Sequence, residues 1–571
     1  MDSQEISNSE ITEIKTKKDN KNSDSNENLI TSSKAWLKFF DDKDAISILL
    51  NKSLPTYLPK CRWFGGKSKK IKYFKVQYNI AFTFGNTCVY MMILEASYVA
   101  AYSESYFLPL FFTEEEPRKI DKKAIICSLQ IGDKVGTLID ALYDEECRGQ
   151  IFKHIVKQKD INLGEGSTLK FEKGSILKDF DSKEGLNSYV LKADQSNTSV
   201  IYNDRFFLKI YRNLFRDTNP DYETTRFLTE NTKFKNSPTY AGSITWVREK
   251  FFDVSFGLMQ EKVQNEGDAW KYLNEKIKIY FEKIKEFHQT DWQEIPDVPL
   301  YQPRSIRELE PEIVDLIGYD TLKSIEKLAQ RTAEMHIAIS SDKSNFTFLP
   351  VLYNQDYSVW LKNRLMYQFD RRLDLIDKNI EELEGLSKEY AQRFADNKEN
   401  IINIILNFDE SSLISKRVRI HGDYHLGQVL KRGDDFIILD FEGEPESTIR
   451  DRKVKQPPLK DVAGMLRSFH YAVYSNIFEQ LETGEWSYDT LQEVGRKYYN
   501  CIVAIFLNTY IKTAMENSLD IGYMSEIDYL LKYHLLEKAI YELGYELNAR
   551  PAWAIIPLKG IMDLLDDFKK N

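Results

Sequence analysis

The pattern of apolar and polar positions divides the chain into a polar start, two strand-rich stretches and a long helical part. Residues 1–32 are mostly Ser, Asn, Asp, Glu and Lys, so we expect them to be disordered. Order is expected to begin at Ser33, as the N-cap of an amphipathic helix over residues 35–50. Residues 71–131 alternate apolar and polar side chains, which is typical of antiparallel strands with one covered face. We therefore predict a cap subdomain over residues 33–130.

The rest of the chain changes from strands to helices near residue 262. Residues 131–262 again show short β-like runs and predict an intermediate subdomain that serves as a small lobe. Residues 263–571 form a predicted helical lobe, because apolar residues recur there at steps of three and four. The predicted helices are Tyr272–His288, Ser305–His336, Tyr357–Leu386, Lys388–Phe408, Leu459–Leu481, Leu491–Glu516 and Ile527–Asn548. The fold class predicted from these patterns is α+β.

Candidate chemistry is concentrated between residues 419 and 467. His421-Gly422-Asp423 is followed five positions after the aspartate by Gln428, the spacing of a kinase catalytic loop. Apolar runs on either side of residues 431–435 predict a hairpin that leads to Asp440-Phe441-Glu442, which stands where kinases have Asp-Phe-Gly. We predict that Asp423 accepts the proton of the substrate hydroxyl and that Gln428 and Asp440 hold Mg²⁺.

The strand-rich part before it supplies a matching half-site. Lys209 lies in an apolar strand, and Glu223 follows it in a helix-like stretch. In kinases a lysine in this place reaches the phosphates and a helical glutamate holds the lysine, so we predict that Glu223 holds Lys209. The order of these motifs along the chain predicts a bilobal, protein-kinase-like fold.

Two further stretches are expected to contact ATP. The loop that contains Ser196, Asn197 and Ser199 could offer donors to phosphate oxygens, although an ordinary hairpin would have the same pattern. After the last strand of the small lobe, Gln260, Lys262 and Val263 occupy the place of the hinge that meets adenine.

Composition narrows the choice of partners. The net charge of −10 leaves no basic stripe for nucleic acid, so small-molecule partners are expected. The 5 cysteines show no CxxC spacing, and no apolar run approaches the roughly 18 residues that span a membrane. We therefore expect a cytoplasmic protein without membrane or nucleic-acid partners. The histidines that stand alone on predicted helices are interpreted as core or surface residues: His288, His336, His470 and His534.

The chain resembles the maltokinases, which belong with the aminoglycoside phosphotransferases to the kinase-like superfamily. The similarity covers nearly everything after residue 33. It rests on these stretches: Pro59–Lys67 with RWFGGK, Gln195–Ser199, Asn219–Glu223, Gly267–Trp270, His421–Leu430, Asp440–Pro445 and Asp461–Phe469.

This resemblance implies a cap subdomain and an ATP- and Mg²⁺-dependent transfer of phosphate to maltose, giving maltose 1-phosphate. It also implies a place in the route from trehalose to glycogen and an association with trehalose synthase, to which some members are fused.

The sugar-binding residues are predicted from a helix near the C-terminus. Its charged, amide and aromatic side chains recur at helical spacing, and Lys538, Glu542, Tyr545 and Arg550 are the candidates, although a solvated helix face would have the same pattern.

Three other functions compete with a maltokinase. An aminoglycoside or choline kinase would share the catalytic residues, a protein kinase is disfavoured because no Ala-Pro-Glu follows Asp440, and a non-enzymatic pseudokinase scaffold is disfavoured by the intact motifs.

Overall fold

Two units, residues 1–147 and 148–571, make up the chain in the computed structural model. The residues that the structure describes are 29–84, 87–164, 166–178, 180, 186–192, 196–286 and 291–568. The first unit continues to Cys147 rather than ending near residue 130, because the strand after that point pairs back onto the same sheet.

The first unit is built on an antiparallel sheet with one parallel edge strand. Its strands are β1 (Leu29–Ser32), β2 (Ile71–Phe84), β3 (Thr87–Tyr98), β4 (Glu104–Thr113), β5 (Ile125–Ile131) and β6 (Lys134–Asp140). Within this unit they lie in the order β1-β5-β6-β4-β3-β2. The helices α1 (Lys43–Ile48) and α2 (Leu54–Tyr57) supply apolar side chains to the core of this unit, as β3 does.

The start of the ordered chain differs from the sequence prediction. Leu29–Ser32 is not disordered: it forms β1, which pairs in parallel with β5, and Ile30 is fully buried. Residues 1–28, which carry the rest of the predicted disorder, lie outside the described residues. The predicted helix over residues 35–50 is broken, because Asp42 caps α1 by accepting a hydrogen bond from Ala45 N at 3.1 Å.

The RWFGGK run lies against this sheet. Trp63 and Phe64 are buried, and both pack on Tyr106, with ring centroids 5.9 and 5.0 Å away. A Cβ on Gly66 would lie 2.4 Å from the hydroxyl of Tyr98, so the chain passes too close to the sheet for any larger residue. The run therefore has a packing role in the first unit.

The second unit begins with an antiparallel sheet and one helix. The helix α3 (Glu145–Lys157) crosses the boundary between the units. The strands that follow are β7 (Ile161–Gly164), β8 (Ser167–Lys173), β9 (Ser188–Val190), β10 (Thr198–Tyr202), β11 (Phe206–Ile210), β12 (Asn213–Leu214), β13 (Tyr240–Arg248) and β14 (Val254–Glu261). The sheet has the order β7-β8-β13-β14-β11-β10-β9, and α4 (Pro220–Asn231) packs on β13 and β14.

The remainder of the second unit is mainly helical. Its helices are α5 (Ala269–Lys285), α6 (Pro311–Ile317), α7 (Tyr319–Ile339), α8 (Gln355–Asn379), α9 (Gly385–Asp396), α10 (Lys398–Leu406), α11 (Leu459–Glu482), α12 (Tyr488–Glu516), α13 (Met524–Ala549) and α14 (Ile555–Phe568). Two small antiparallel sheets accompany them: β15 (Val351–Leu352) pairs with β16 (Lys416–Arg417), and β17 (Val429–Arg432) forms a hairpin with β18 (Asp435–Ile438). The predicted α+β class is confirmed.

Candidate active site

A lysine in the sheet of the second unit is the charged centre of the site. Lys209 lies on β11, and its Nζ is 3.1 Å from Asp221 Oδ2 and 2.5 Å from both Asp440 Oδ1 and Glu442 Oε1. Burial alone would lower the pKa of Lys209, but these carboxylates raise it well above its usual value. The ammonium is therefore charged at neutral pH, as a group that neutralises phosphate must be.

The carboxylate that α4 offers to Lys209 is Asp221, and the prediction that Glu223 does so is wrong. Asn219 caps this helix by accepting a hydrogen bond from Asp221 N at 2.8 Å, which places Asp221 in the first turn, facing the lysine. Residues two apart on a helix point about 200° apart, so Glu223 faces away. Its Oε2 lies 3.2 Å from the guanidinium of Arg419 instead.

The loop that carries Asp423 is held by a buried acid on α11. The N–H groups of His421 and Gly422 donate to the two carboxylate oxygens of Asp461 at 2.7 and 2.9 Å. Gly422 has a φ of 86°, and a Cβ there would lie 3.1 Å from the Cα of Gly443. Glycine at this position allows both the left-handed backbone and the close approach, so the turn presents Asp423 in a fixed direction.

Asp461 in turn is held by partners that the sequence did not identify. Nε2 of the fully buried His336 lies 3.0 Å from Asp461 Oδ2, and its Nδ1 lies 2.9 Å from the hydroxyl of Tyr510. Burial by itself would raise the pKa of Asp461, but His336 and the N–H of Gly422 lower it below its usual value. The signal in the sequence was an acidic residue in the first turn of an otherwise apolar helix, which Asp461 is.

Asp423 itself lies between a lysine and a histidine. Its Oδ1 is 3.2 Å from Lys538 Nζ, and its Oδ2 is 3.9 Å from His425 Nε2. Burial by itself would lower the pKa of Lys538, but Asp423 and Glu542 raise it. Burial lowers the pKa of His425, so this imidazole is neutral at pH 7. Asp423 is therefore paired with the ammonium of Lys538, beside a neutral imidazole.

The hairpin β17–β18 places the two predicted metal ligands together. Gln428 ends the turn before β17, Asp440 follows β18, and Gln428 Nε2 donates to Asp440 Oδ2 at 3.3 Å. Asp440 has a φ of 62°, a left-handed conformation that Asp tolerates better than most residues and that marks functional sites. Burial would raise the pKa of Asp440, but Lys209 lowers it, so the carboxylate is ionised.

The residues around Lys209 fit a hard divalent cation. Asp221, Asp440 and Glu442 each offer a carboxylate oxygen, and these atoms lie within 4.8 Å of one another. The amide of Gln428 turns its nitrogen to Asp440, and rotating the amide by about 180° would offer its oxygen in the same place. Oxygen sets of this kind are what Mg²⁺ prefers. Glu442, in the place of the expected glycine, was not predicted as part of this set.

A cleft of about 580 Å³ opens beside these groups and reaches the predicted hinge. The predicted nucleotide residues that line it are Ser196, Asn197, Lys209, Gln260, Lys262 and Val263. Ser199 does not line it, because it is buried in β10 opposite Lys209, and Gln195 of the same loop lies outside the described residues. Leu191, Ile201, Leu430 and Leu439 supply an apolar lining for a flat ring.

The predicted sugar residues separate into two groups. Lys538 lies beside Asp423, and Glu542, one turn further along α13, has an oxygen 2.8 Å from the buried Arg467. Tyr545 is 54% exposed, and Arg550 pairs with Glu546 on the same helix. Lys538 is thus next to Asp423, whereas Tyr545 and Arg550 lie about 10 and 18 Å further along the helix axis.

A buried charge cluster next to Lys538 was not predicted. Glu537 Oε1 lies 2.7 Å from both Arg364 and Lys460, and its Oε2 lies 2.7 Å from His534 Nδ1. Arg364 also contacts Glu444, which directly follows Gly443. Burial lowers the pKa of Lys460 to about 8. These ion pairs connect α13 with α8 and α11, next to the lysine that contacts Asp423.

In the part of the chain that the structure describes, no helix is both long and apolar enough to cross a membrane.

Comparison with known proteins gives one domain match and several relatives. Residues 57–144 match the family model of the maltokinase N-terminal cap domain. A glucosamine kinase of Mycolicibacterium smegmatis is 28% identical over 149 residues, which are 26% of this chain and 34% of the relative. A glucosamine kinase of Streptacidiphilus jiangxiensis is 25% identical over 154 residues, or 27% of this chain and 33% of the relative. Each sequence match thus spans about a third of the relative.

Similarity of structure extends over most of the chain. The structure of a glucosamine kinase in complex with glucosamine, ADP and inorganic phosphate gives a TM-score of 0.56 at 14% identity, covering 89% of this chain and 98% of that chain. Crystal form A of a glucosamine kinase gives 0.55 at 15% identity, covering 86% and 92%. At such identities the likeness shows the fold, which is the predicted kinase-like one. Residues 57–144 are thus similar to the maltokinase cap domain, and the fold over most of the chain is similar to that of the glucosamine kinase structures.

Proposed function

We propose that the protein transfers the γ-phosphoryl group of ATP to the anomeric hydroxyl of maltose, giving maltose 1-phosphate. The observation that carries this proposal is the placement of Asp423 next to Lys538, within the same unit as the cleft that contains Lys209, Gln428 and Asp440. The match of residues 57–144 to the maltokinase cap domain supports the choice of family.

The chain supplies the groups that such a transfer needs. Lys209 neutralises phosphate oxygens, and Asp221 orients it from the first turn of α4. Asp423 accepts the proton of the sugar hydroxyl, and this hydrogen bond directs the hydroxyl oxygen at the γ-phosphorus. Gln428, Asp440 and Glu442 would hold Mg²⁺, which would offset the negative charge of the nucleotide phosphates.

The choice of a neutral sugar over an amino sugar rests on Lys538. Its ammonium lies 3.2 Å from Asp423, so an acceptor hydroxyl that reaches Asp423 lies close to a fixed positive charge. A substrate ammonium at that position would be repelled. Glucosamine nevertheless belongs in the test, because both sequence relatives bear the name glucosamine kinase.

The choice of the anomeric hydroxyl predicts a simple pattern of substrates. Maltose should give an acid-labile anomeric phosphate in the phosphorus NMR spectrum of the product. Methyl maltoside and trehalose should give no product, because neither has a free anomeric hydroxyl. A 6-phosphate, or turnover of methyl maltoside, would contradict the proposal, and turnover of glucosamine in preference to maltose would assign a different acceptor.

The resemblance also suggests how the substrate is supplied. Maltose would come from the isomerisation of trehalose, and association with trehalose synthase is part of this proposal. Copurification of the two proteins at physiological concentration tests the association separately from the activity.

A further inference from the structure

A second cavity, of about 470 Å³, lies on the other side of α4 from the nucleotide cleft. Asp221 lines the cleft, whereas Glu223 and Arg226 of the same helix line this cavity. We propose that the cavity is a second ligand site, that it binds a neutral saccharide, and that its occupancy acts on Lys209 through α4.

Three segments of the second unit build the walls. On one side, Lys170 of β8 and Thr245 of β13 are direct cross-strand partners and so share one face of the sheet. On the second side is α4, and on the third is the segment between α7 and β15, which contributes Phe348. Phe348 stacks on Phe227 of α4, with ring centroids 3.8 Å apart, so the second and third walls are joined. The volume is in the range of small-molecule sites, roughly 300–1,000 Å³.

One polar atom in the wall points to a ligand. Thr245 is only 7% exposed, lines the cavity, and its Oγ1 has no hydrogen-bond partner among the described residues. Buried hydroxyls in folded proteins are nearly always paired, and an unpaired one costs about 1–3 kcal/mol. A ligand hydroxyl at this position would supply the partner.

The charges in the lining disfavour anions. Arg226 is already occupied, with Nη1 3.0 Å from Glu172 Oε2 and 2.7 Å from the hydroxyl of Tyr222. Glu223 Oε2 lies 3.2 Å from the guanidinium of Arg419. Among the described lining residues, three carboxylates face two cations, which disfavours phosphates and other anions.

What remains in the lining suits a sugar. Asn231 and Asn345 offer amides, and Thr218 and Thr347 offer hydroxyls. A neutral saccharide presents hydroxyls to these polar groups. We therefore assign the cavity to a mono- or disaccharide.

Helix α4 connects this cavity with the catalytic groups. Asp221 accepts hydrogen bonds from Lys209 at 3.1 Å and from Phe441 N at 3.0 Å. Glu223, on the cavity side, pairs with Arg419, which lies just before the catalytic loop. If a saccharide binds one position of α4 more tightly than another, its binding shifts the helix towards that position. The carboxylate of Asp221, which holds Lys209, would move with the helix.

Titration of maltose by calorimetry tests the site. If maltose is also the acceptor, the wild type should bind two molecules per chain, Lys538→Met should retain one, and Lys538→Met with Thr245→Val should bind that one about tenfold more weakly. Thr168→Val is the matched control, because Thr168 lies on the same face of β8 but not in the lining, and it should bind as the wild type does. We expect Thr245→Val alone to weaken the second site about tenfold, since it removes a hydroxyl and keeps the shape.

The outcomes separate this inference from the proposed function. One molecule per chain that Lys538→Met binds as the wild type does and Thr245→Val binds about tenfold more weakly would support the cavity and contradict maltose as acceptor. A single site that Lys538→Met abolishes, or equal binding by Thr245→Val and Thr168→Val, would overturn the cavity assignment.

The link through α4 is tested by nucleotide affinity. In Lys538→Met, saturating maltose should change the Kd for Mg-ATP at least about threefold, whereas glycerol at equal concentration should not. An unchanged Kd, with maltose bound, would overturn the link.

Discussion

Substitution of Asp221 and of Glu223, both on α4, tests which of the two acids holds Lys209. Asp221→Asn should weaken Mg-ATP binding about tenfold, because it replaces the carboxylate that lies 3.1 Å from Lys209 with a neutral amide. Glu223→Gln should leave Mg-ATP binding near the wild-type value but lower the free energy of unfolding by about 1–3 kcal/mol, since Arg419 loses its charged partner. Calorimetry and denaturant unfolding measure the two effects. A larger loss of nucleotide affinity in Glu223→Gln would contradict the geometry.

The assigned base gives the second test at this scale. Asp423→Asn keeps the shape of the side chain but cannot accept the proton of the sugar hydroxyl, so kcat should fall by about 10²–10⁴. Binding of Mg-ATP and the melting temperature should stay close to those of the wild type. Turnover at the wild-type rate would refute the assignment of Asp423.

Spacing alone was sufficient to bring most of these residues together. The interval from Asp423 to Gln428 and the hairpin before Asp440 predicted Gln428 and Asp440, which the structure places in one cleft with Lys209, whereas Asp423 is not among the residues that line this cleft. The choice of Glu223 failed because two acids lie two positions apart in α4, and the sequence does not show which face of the helix is turned to β11. Contacts made through the backbone, such as those to Asp461, have no spacing signal.

At the scale of elements, a salt bridge fixes the hairpin that carries the metal-binding groups. Arg331 of α7 donates to both oxygens of Asp435 at the start of β18, at 2.7 and 2.8 Å. Burial by itself would raise the pKa of Asp435, but these hydrogen bonds lower it to about 2. Because the pKa in the folded state is depressed, the stabilisation is present above about pH 4, the unfolded value, and is lost as pH falls towards 2.

Replacing Asp435 should therefore make the free energy of unfolding depend less on pH below about pH 4. Asp435→Asn should lower the free energy of unfolding at pH 7 by about 1–2 kcal/mol, less than the full shift implies because the Asp435 side chain is 29% exposed. The difference from wild type should shrink between pH 4 and pH 2. The exposed neighbour Asp434→Asn is the control and should follow the wild type, and denaturant unfolding across this pH range gives the answer. A difference that is constant with pH would contradict an ionic origin.

Helix periodicity located long elements well and short breaks poorly. The predicted helix over residues 305–336 is divided into α6 and α7, because Pro311 starts one helix and Gly318, with a φ of 92°, ends it. The predicted helix over residues 357–386 matches α8, whose residues 355–379 continue one apolar stripe into the core. Helices α3 and α14 were not predicted.

At the scale of the molecule, the domain boundaries were the least predictable feature. A boundary near residue 130 falls between two strands that the structure pairs as a hairpin, β5 and β6. The pairing of β5 with a strand from the start of the chain is equally hard to predict from the sequence. The strand β1 is short, and its sequence, LITS, contains only two periods of apolar and polar alternation. Pairing over long distances along the chain is set by the sheet and not by the local pattern.

Two truncations should distinguish the polar start from the strand that follows it. Removing residues 1–28 should leave the stability of the first unit unchanged, because so polar a segment has little apolar area to offset its ordering entropy. Removing residues 1–32 should cost about 2–4 kcal/mol, because it takes away Ile30, which is fully buried, and the hydrogen bonds between β1 and β5. It also removes Ser32, whose hydroxyl donates to the carboxylate of Asp42 at 2.7 Å, the group that caps α1.

Denaturant unfolding of the two truncated proteins beside the full chain measures the difference. Equal stability of the two truncations would show that β1 contributes nothing to the sheet, and an equally large loss in both would show that residues 1–28 dock on the folded unit.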